Sequence, residues 1–136
     1  MLPFANKPIL EHILDAAIGA GIKEFVFITG YQEDTIRNYF GDGSAWGVKI
    51  QYVTQEEQKG TADAIKQADG HVDGHFIVLN GDVLVTSDYL KQLTSKTSDA
   101  VITAKQVSNP SEFGVIDTSG ERVTKIVEKS STPPTT

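Results

Sequence analysis

The chain has 136 residues, 39% hydrophobic and 22% charged, which fits one globular domain over residues 1–136 and excludes a disordered or fibrous chain. Cysteine is absent, which excludes a disulfide framework, a thiolate zinc site and a cysteine nucleophile. Eighteen acidic residues outnumber 12 basic ones, and this net charge of -6 argues against a nucleic-acid partner. No apolar stretch approaches the length of a membrane span, so we expect a cytoplasmic protein without a membrane partner.

Strands and helices are predicted to alternate along the first two-thirds of the chain. Apolar residues at helical spacing predict helices at 9–18, 32–40, 61–68 and after an N-cap at Ser87. Apolar runs and alternating patterns predict strands at 25–28, 48–53, 76–79, 100–107, 115–116 and 123–127. Strand–helix alternation is typical of a parallel sheet covered on both faces. We therefore predict an α/β fold with a Rossmann-like, doubly wound, mostly parallel sheet, to which the last third adds edge strands.

In open α/β sheets, ligands bind beyond the carboxyl ends of the strands. Asp82 lies in this position after the predicted strand 76–79, beside Gly81. A carboxylate placed there can hold a hard cation such as Mg²⁺ against phosphate oxygens. The alternative is an Asx turn that ends the strand. The residues alone leave both interpretations open.

Other polar residues follow the remaining strands. Gln55 carries an amide donor and acceptor that can read the edge of a base, although a solvated loop residue is the alternative. Gly60 and Thr61 open a helix and offer free backbone N–H groups, unless they simply begin that helix. Glu128 and Lys129 follow the last predicted strand, which ends at Val127, and can supply a metal ligand and a phosphate contact, or form an exposed strand end.

Six short motifs occur in an order and spacing that resemble the sugar-1-phosphate nucleotidyltransferases, most of all the glucose-1-phosphate thymidylyltransferases and uridylyltransferases. They are Leu2-Pro3-Phe4-Ala5-Asn6-Lys7-Pro8-Ile9-Leu10, Ile28-Thr29-Gly30-Tyr31, Gln55-x-x-Gln58-x-Gly60-Thr61-Ala62-x-Ala64, Leu79-Asn80-Gly81-Asp82, Phe113-Gly114-Val115-Ile116 and Val127-Glu128-Lys129. The resemblance covers essentially the whole chain. It implies an enzyme that joins a pyrimidine nucleoside triphosphate, dTTP or UTP, to glucose 1-phosphate or N-acetylglucosamine 1-phosphate and releases pyrophosphate.

The resemblance also implies roles for the residues that match the motifs at the nucleotide. Gln55 and Gly60 would contact the pyrimidine base, and Thr61 and Gly81 would belong to the same nucleotide-binding set. Asp82 would ligate the catalytic Mg²⁺.

The sugar phosphate would meet the last motifs of the chain. Gly114 would let the backbone approach the sugar, Glu128 would contact its hydroxyl groups and Lys129 would contact its phosphate. Asp82 and Lys129 are the implied catalytic residues.

The family's glycine-rich, triphosphate-cradling loop would precede the Leu2-Pro3-Phe4 segment and is not in this sequence. We therefore expect an internal piece of such an enzyme, inactive alone and inclined to form homo-oligomers because its sheet lacks a central strand. A non-catalytic regulatory or scaffolding module is the alternative function. The bases thymine and uracil differ by one methyl group, so the choice of base stays open, as does the sugar.

Overall fold

The computed structural model describes residues 1, 3–57 and 59–128. Two compact units divide the chain, the first spanning Met1–Thr97 and the second beginning at Ser98. The helices are α1 (Ile9–Gly19), α2 (Glu33–Phe40), α3 (Thr61–Lys66) and α4 (Ser87–Thr94). The strands are β1 (Pro3–Phe4), β2 (Lys7–Pro8), β3 (Glu24–Thr29), β4 (Lys49–Thr54), β5 (Gly114–Ser119) and β6 (Arg122–Glu128).

A parallel strand pair forms the centre of the first unit. Strands β3 and β4 align in register from Glu24 opposite Lys49 to Thr29 opposite Thr54. Backbone bonds prolong the pair at both ends, because Lys49 N–H donates to the Lys23 carbonyl and Gln55 N–H donates to the Thr29 carbonyl. The carboxyl ends of both strands therefore lie side by side, which is where a ligand site is expected.

Helix α1 contributes to two buried clusters. Leu14 packs with Phe40 and Ile50 in the first cluster, where the rings of Phe27 and Phe40 meet edge to face at 5.6 Å. Ala16 and Ala17 pack with Leu90 of α4 in the second cluster. These apolar residues recur at helical spacing, so the face that they share is the one that α1 buries.

The segment 76–79 is not a strand, contrary to the prediction. Among the described residues it has no ladder partner, since the parallel pair contains β3 and β4 alone. Ile77 and Leu79 pack against the second cluster, whereas Phe76 is 54% exposed and Val78 is 48% exposed. The run is therefore covered on one side, not on both.

Two further predictions need correction. The segment 100–107 forms no strand, so in the described part of the chain the mixed α/β class is confirmed but the Rossmann-like, doubly wound sheet is not. The N-cap of α4 is Thr86, not Ser87, because the Thr86 hydroxyl accepts the Tyr89 N–H at 3.3 Å. Ser87 is instead the first helical residue.

The second unit contains an antiparallel hairpin. Strand β5 pairs with β6 from Gly114 opposite Glu128 to Ser119 opposite Arg122, with an irregularity between Asp117 and Thr118. This confirms the two strands predicted at 115–116 and 123–127. None of the helices in the described ranges is both long and apolar enough to cross a membrane.

Candidate functional site

A cleft of about 340 Å³ opens where β4 ends. Its lining consists of the last residue of β4, the residues that follow it, one residue of α3 and the C-cap of that helix, namely Thr54, Gln55, Glu56, Glu57, Lys59, Asp63 and Gln67. Gln55 is the candidate site residue in this lining, whereas Gly60, Thr61, Gly81 and Asp82 are not part of it. The structure thus places the predicted base-reading residue in a concave site at the carboxyl end of a parallel strand.

Gln55 is fixed at both its backbone and its side chain. Its N–H donates to the Thr29 carbonyl at 2.6 Å, which continues the β3–β4 pairing. Its Nε2 donates to Oδ2 of Asp63 at 2.6 Å, in a partly buried contact between the loop and α3. A carboxylate only accepts hydrogen bonds, so this contact fixes which end of the amide faces Asp63. Gln55 is therefore held in one conformation before any ligand arrives.

Gly60 sets the path of the chain from the loop into α3. It precedes the helix with φ +101° and ψ 177°, a backbone conformation that side-chain-bearing residues rarely adopt. A Cβ built there meets nothing within 4 Å, so the constraint is conformational, not steric. Thr61 begins α3 and is exposed. Gln58, which stands between Gln55 and Gly60 in the motif, lies outside the described residues.

A hydrogen-bonded carboxylate ties α2 to the end of β4. Glu33 Oε2 accepts the Thr54 hydroxyl at 2.5 Å, and its Oε1 accepts Arg37 at 2.5 Å. The Thr54 hydroxyl, followed by Arg37, holds the pKa of the Glu33 carboxyl below its ordinary value. The Arg37 guanidinium also lies 4.4 Å from the centre of the Tyr52 ring. This cluster fixes the residue that directly precedes Gln55.

Acidic groups dominate the charge of the cleft. Glu56, Glu57 and Asp63 contribute carboxylates, and the cation Lys59 pairs with Glu57. Such a lining repels phosphate oxygens and favours neutral groups that carry hydrogen-bond donors. The cleft therefore suits the base of a nucleotide better than its phosphates.

Asp82 lies in a turn. Val83 N–H donates to the Asn80 carbonyl at 3.3 Å, so the backbone turns here. Within residues 1, 3–57 and 59–128, no hydrogen bond or ion pair occupies the Asp82 carboxylate, and no three acidic or histidine side chains group as metal ligands. The backbone turns at this point, but no Asx-turn hydrogen bond to the Asp82 carboxylate is found among the described residues. The carboxylate is exposed, and its role as a Mg²⁺ ligand stays a prediction. Gly81 packs near α1, where an added Cβ would lie 3.8 Å from Leu10.

Gly114 and Glu128 face each other across the hairpin of the second unit. A Cβ built on Gly114 would lie 2.8 Å from Oε2 of Glu128. Because that atom ends a flexible side chain, the protein itself does not require glycine here. Lys129 lies outside the described residues.

Sequence patterns missed three residues of this region. Asp63 and Gln67 line the cleft, and Glu33 holds the end of β4. Asp63 was recognisable in principle, because it lies in the first turn of the helix that follows the Gln55 loop. A carboxylate in such a turn can reach back toward the loop, but its partner depends on the loop's path.

Comparisons with known proteins identify the family. The nucleotidyl transferase family model matches residues 1–136. A mannose-1-phosphate guanylyltransferase of Mycobacterium tuberculosis is 37% identical over 99% of this chain and 39% of its own length. A UTP–glucose-1-phosphate uridylyltransferase of Haloferax volcanii is 32% identical over 98% of this chain and 57% of its own length. The chain thus spans less than two-thirds of these relatives.

A solved structure shows the same fold. A chain from Bacillus anthracis, described as a glucose-1-phosphate thymidylyltransferase in complex with sucrose, superposes with a TM-score of 0.85. It is 24% identical, and the match covers 98% of this chain and 56% of that chain. Since the family model matches residues 1–136, the chain belongs to the nucleotidyl transferase family.

Proposed function

We propose that this chain is the part of a nucleotidyltransferase that binds a pyrimidine nucleoside triphosphate, dTTP or UTP, and a sugar 1-phosphate, glucose 1-phosphate or N-acetylglucosamine 1-phosphate. The products are a nucleotide sugar and pyrophosphate. The observation that carries the proposal is the cleft after β4, which holds a fixed glutamine amide among acceptor groups. Such a lining suits a base edge that offers an N–H.

The acidic lining of the cleft supports separate binding positions for the base and for the phosphates of the nucleotide. The cleft around Gln55 is acidic, so the triphosphate belongs outside it. Asp82 is exposed on a turn and would hold Mg²⁺, which in proteins is typically bound by one or two carboxylates together with substrate phosphates. Bound Mg²⁺ would offset the negative charge of the phosphoryl group during transfer. Asp82 itself would fix the position of the Mg²⁺ charge.

In this proposal the sugar 1-phosphate binds to residues of the second unit. Gly114 and Glu128 are neighbours there, and the same proposal gives Lys129 the phosphate of the sugar. Gly114→Ala tests this pair of residues together, because the added methyl group meets the movable end of the Glu128 side chain and no backbone atom. We expect this variant to fold normally and to raise the KM for the sugar phosphate without changing nucleotide binding.

The base preference is tested by binding. We expect UTP and dTTP to bind more tightly than GTP or ATP, and Gln55→Ala to weaken UTP binding about tenfold, the size of one or two hydrogen bonds. Gln92→Ala, an exposed glutamine of α4, is the matched control and should bind UTP normally. The relatives' names include both guanylyl and uridylyl transfer, so a preference for GTP would refute the pyrimidine assignment and keep the family.

The metal role is tested by turnover. In the whole enzyme, Asp82→Asn should lower Mg²⁺-dependent pyrophosphate release from UTP and glucose 1-phosphate by about a hundredfold or more, because charge stabilisation carries phosphoryl-type transfer. Asp88→Asn removes the same charge from the exposed first turn of α4 and should leave turnover unchanged. Equal turnover in the two variants would contradict the assignment.

A further inference from the structure

The Gln55 amide raises a question of selectivity. The amide group of an unrestrained glutamine can rotate by about 180° about its last side-chain bond, so it can offer either its oxygen or its NH₂ group to a base. Uracil presents an N–H at N3 beside a carbonyl, whereas cytosine presents a bare N3 beside an amino group. A glutamine amide that is free to rotate can therefore pair with either base, and such a glutamine alone does not discriminate between uracil and cytosine.

The contact with Asp63 removes that freedom. Gln55 Nε2 donates to Asp63 Oδ2 at 2.6 Å, and the reversed amide would place its oxygen against the carboxylate. Within the described residues nothing occupies the Gln55 oxygen, which stays available to a ligand in the cleft. Asp63 belongs to α3, and Gln55 directly follows β4 with its N–H bonded to the Thr29 carbonyl, so the orientation is set by elements that the fold holds in place.

We propose that Asp63 is a positioning residue that fixes the Gln55 amide with its oxygen available to the cleft, so that the site selects a base edge with an N–H over an edge with a bare acceptor. The inference rests on the proposed nucleotide-binding function of this cleft. Asp63 acts through Gln55 and does not itself touch the base.

The test compares UTP with CTP in binding to the whole chain. Wild type should favour UTP, and Asp63→Asn should reduce the UTP-to-CTP affinity ratio about three- to tenfold, because asparagine accepts either orientation of the glutamine amide. Asp69→Asn removes the same charge from the exposed turn beyond α3 and should keep the wild-type ratio. In a Gln55→Ala background, Asp63→Asn should cause no further change in the ratio.

An NMR measurement tests the positioning directly. In wild type, one of the two Gln55 side-chain amide protons should be shifted downfield by the carboxylate, and Asp63→Asn should remove this shift while Asp69→Asn keeps it. A UTP-to-CTP ratio that is equal in wild type and Asp63→Asn would overturn the inference and leave the proposed function standing. Binding of neither nucleotide would overturn the proposed function, and the inference with it.

Discussion

Two apolar runs of equal length have different fates in this chain. Residues 25–28 lie in β3 and pair along their whole length with β4. Residues 76–79 are just as apolar but form no ladder in the described structure, and two of the four side chains are about half exposed. A run becomes a strand only where a neighbour accepts and donates its backbone hydrogen bonds, and that neighbour is not encoded in the run itself.

The difference extends to the polar residues that follow each run. Beyond the paired strands, the backbone of Gln55 is bonded to Thr29, and its side chain is bonded to Asp63. Beyond 76–79, Asp82 sits in a turn where its carboxylate has no partner among the described residues. Strand pairing therefore fixes Gln55 in place, whereas the described structure holds the Asp82 carboxylate by no comparable contact.

The largest expected effect is a difference in the free energy of unfolding between alanine substitutions in the two apolar runs. Phe27 contacts the rings of Phe40 and Tyr52 edge to face, so Phe27→Ala should lower the free energy of unfolding by about 3 kcal/mol or more. Phe76 is 54% exposed, so Phe76→Ala should cost about 1 kcal/mol or less. Urea unfolding followed by circular dichroism measures both. Equal losses would mean that 76–79 is as well packed as β3.

The next largest expected effect is a difference in stability between alanine substitutions at two glycines, one beside β4 and one just before residues 76–79. Gly43 has φ +88°, and a Cβ there would lie 2.8 Å from both the Val48 carbonyl and Ile50 Cγ1. Gly74 has φ +67° but open space around it. Both alanine variants share the strain of a positive φ, so Gly43→Ala should be less stable than Gly74→Ala by about 1–3 kcal/mol, the cost of overpacking beside β4. Similar melting behaviour of the two variants would refute the close packing at Ile50.

The smallest expected effect is a pH dependence of folding stability that arises from Glu33, beside the carboxyl ends of β3 and β4. Hydrogen bonds from Thr54 and Arg37 lower the pKa of Glu33 from its ordinary 4.5, so the folded chain binds this proton less tightly than the unfolded chain. The ionised carboxylate therefore favours folding above pH 4.5, and this contribution is lost as pH falls through the lower folded value.

Unfolding free energies at neutral and acidic pH check this sign. Glu33→Gln should flatten the loss of stability on acidification, whereas Asp34→Asn, which removes the neighbouring exposed charge, should keep the wild-type slope. A wild-type slope in Glu33→Gln would show that ionisation of Glu33 does not contribute to the pH dependence of folding.

Sequence reasoning recovered what local patterns encode. Helix α1, strands β3 and β4 and the hairpin β5–β6 follow from apolar spacing, and Gln55 was found from its place after a strand. The unpaired state of 76–79 was not recovered, because pairing depends on distant segments. The contact of Gln55 with Asp63 was missed because it depends on how the chain between β4 and α3 is folded, and neither residue indicates the other as its partner.

The central claim is that the paired end of β3 and β4 forms the base-binding half of the site. The most direct test is an NMR titration of the isotope-labelled chain with uridine, which carries the base and ribose but no phosphate. We expect amide shifts at Gln55, Asp63 and Gln67, with Gly81 and Asp82 unchanged in the absence of phosphate and Mg²⁺. Shifts centred on 76–82, or no shifts at Gln55 and Asp63 at saturating uridine, would contradict this account.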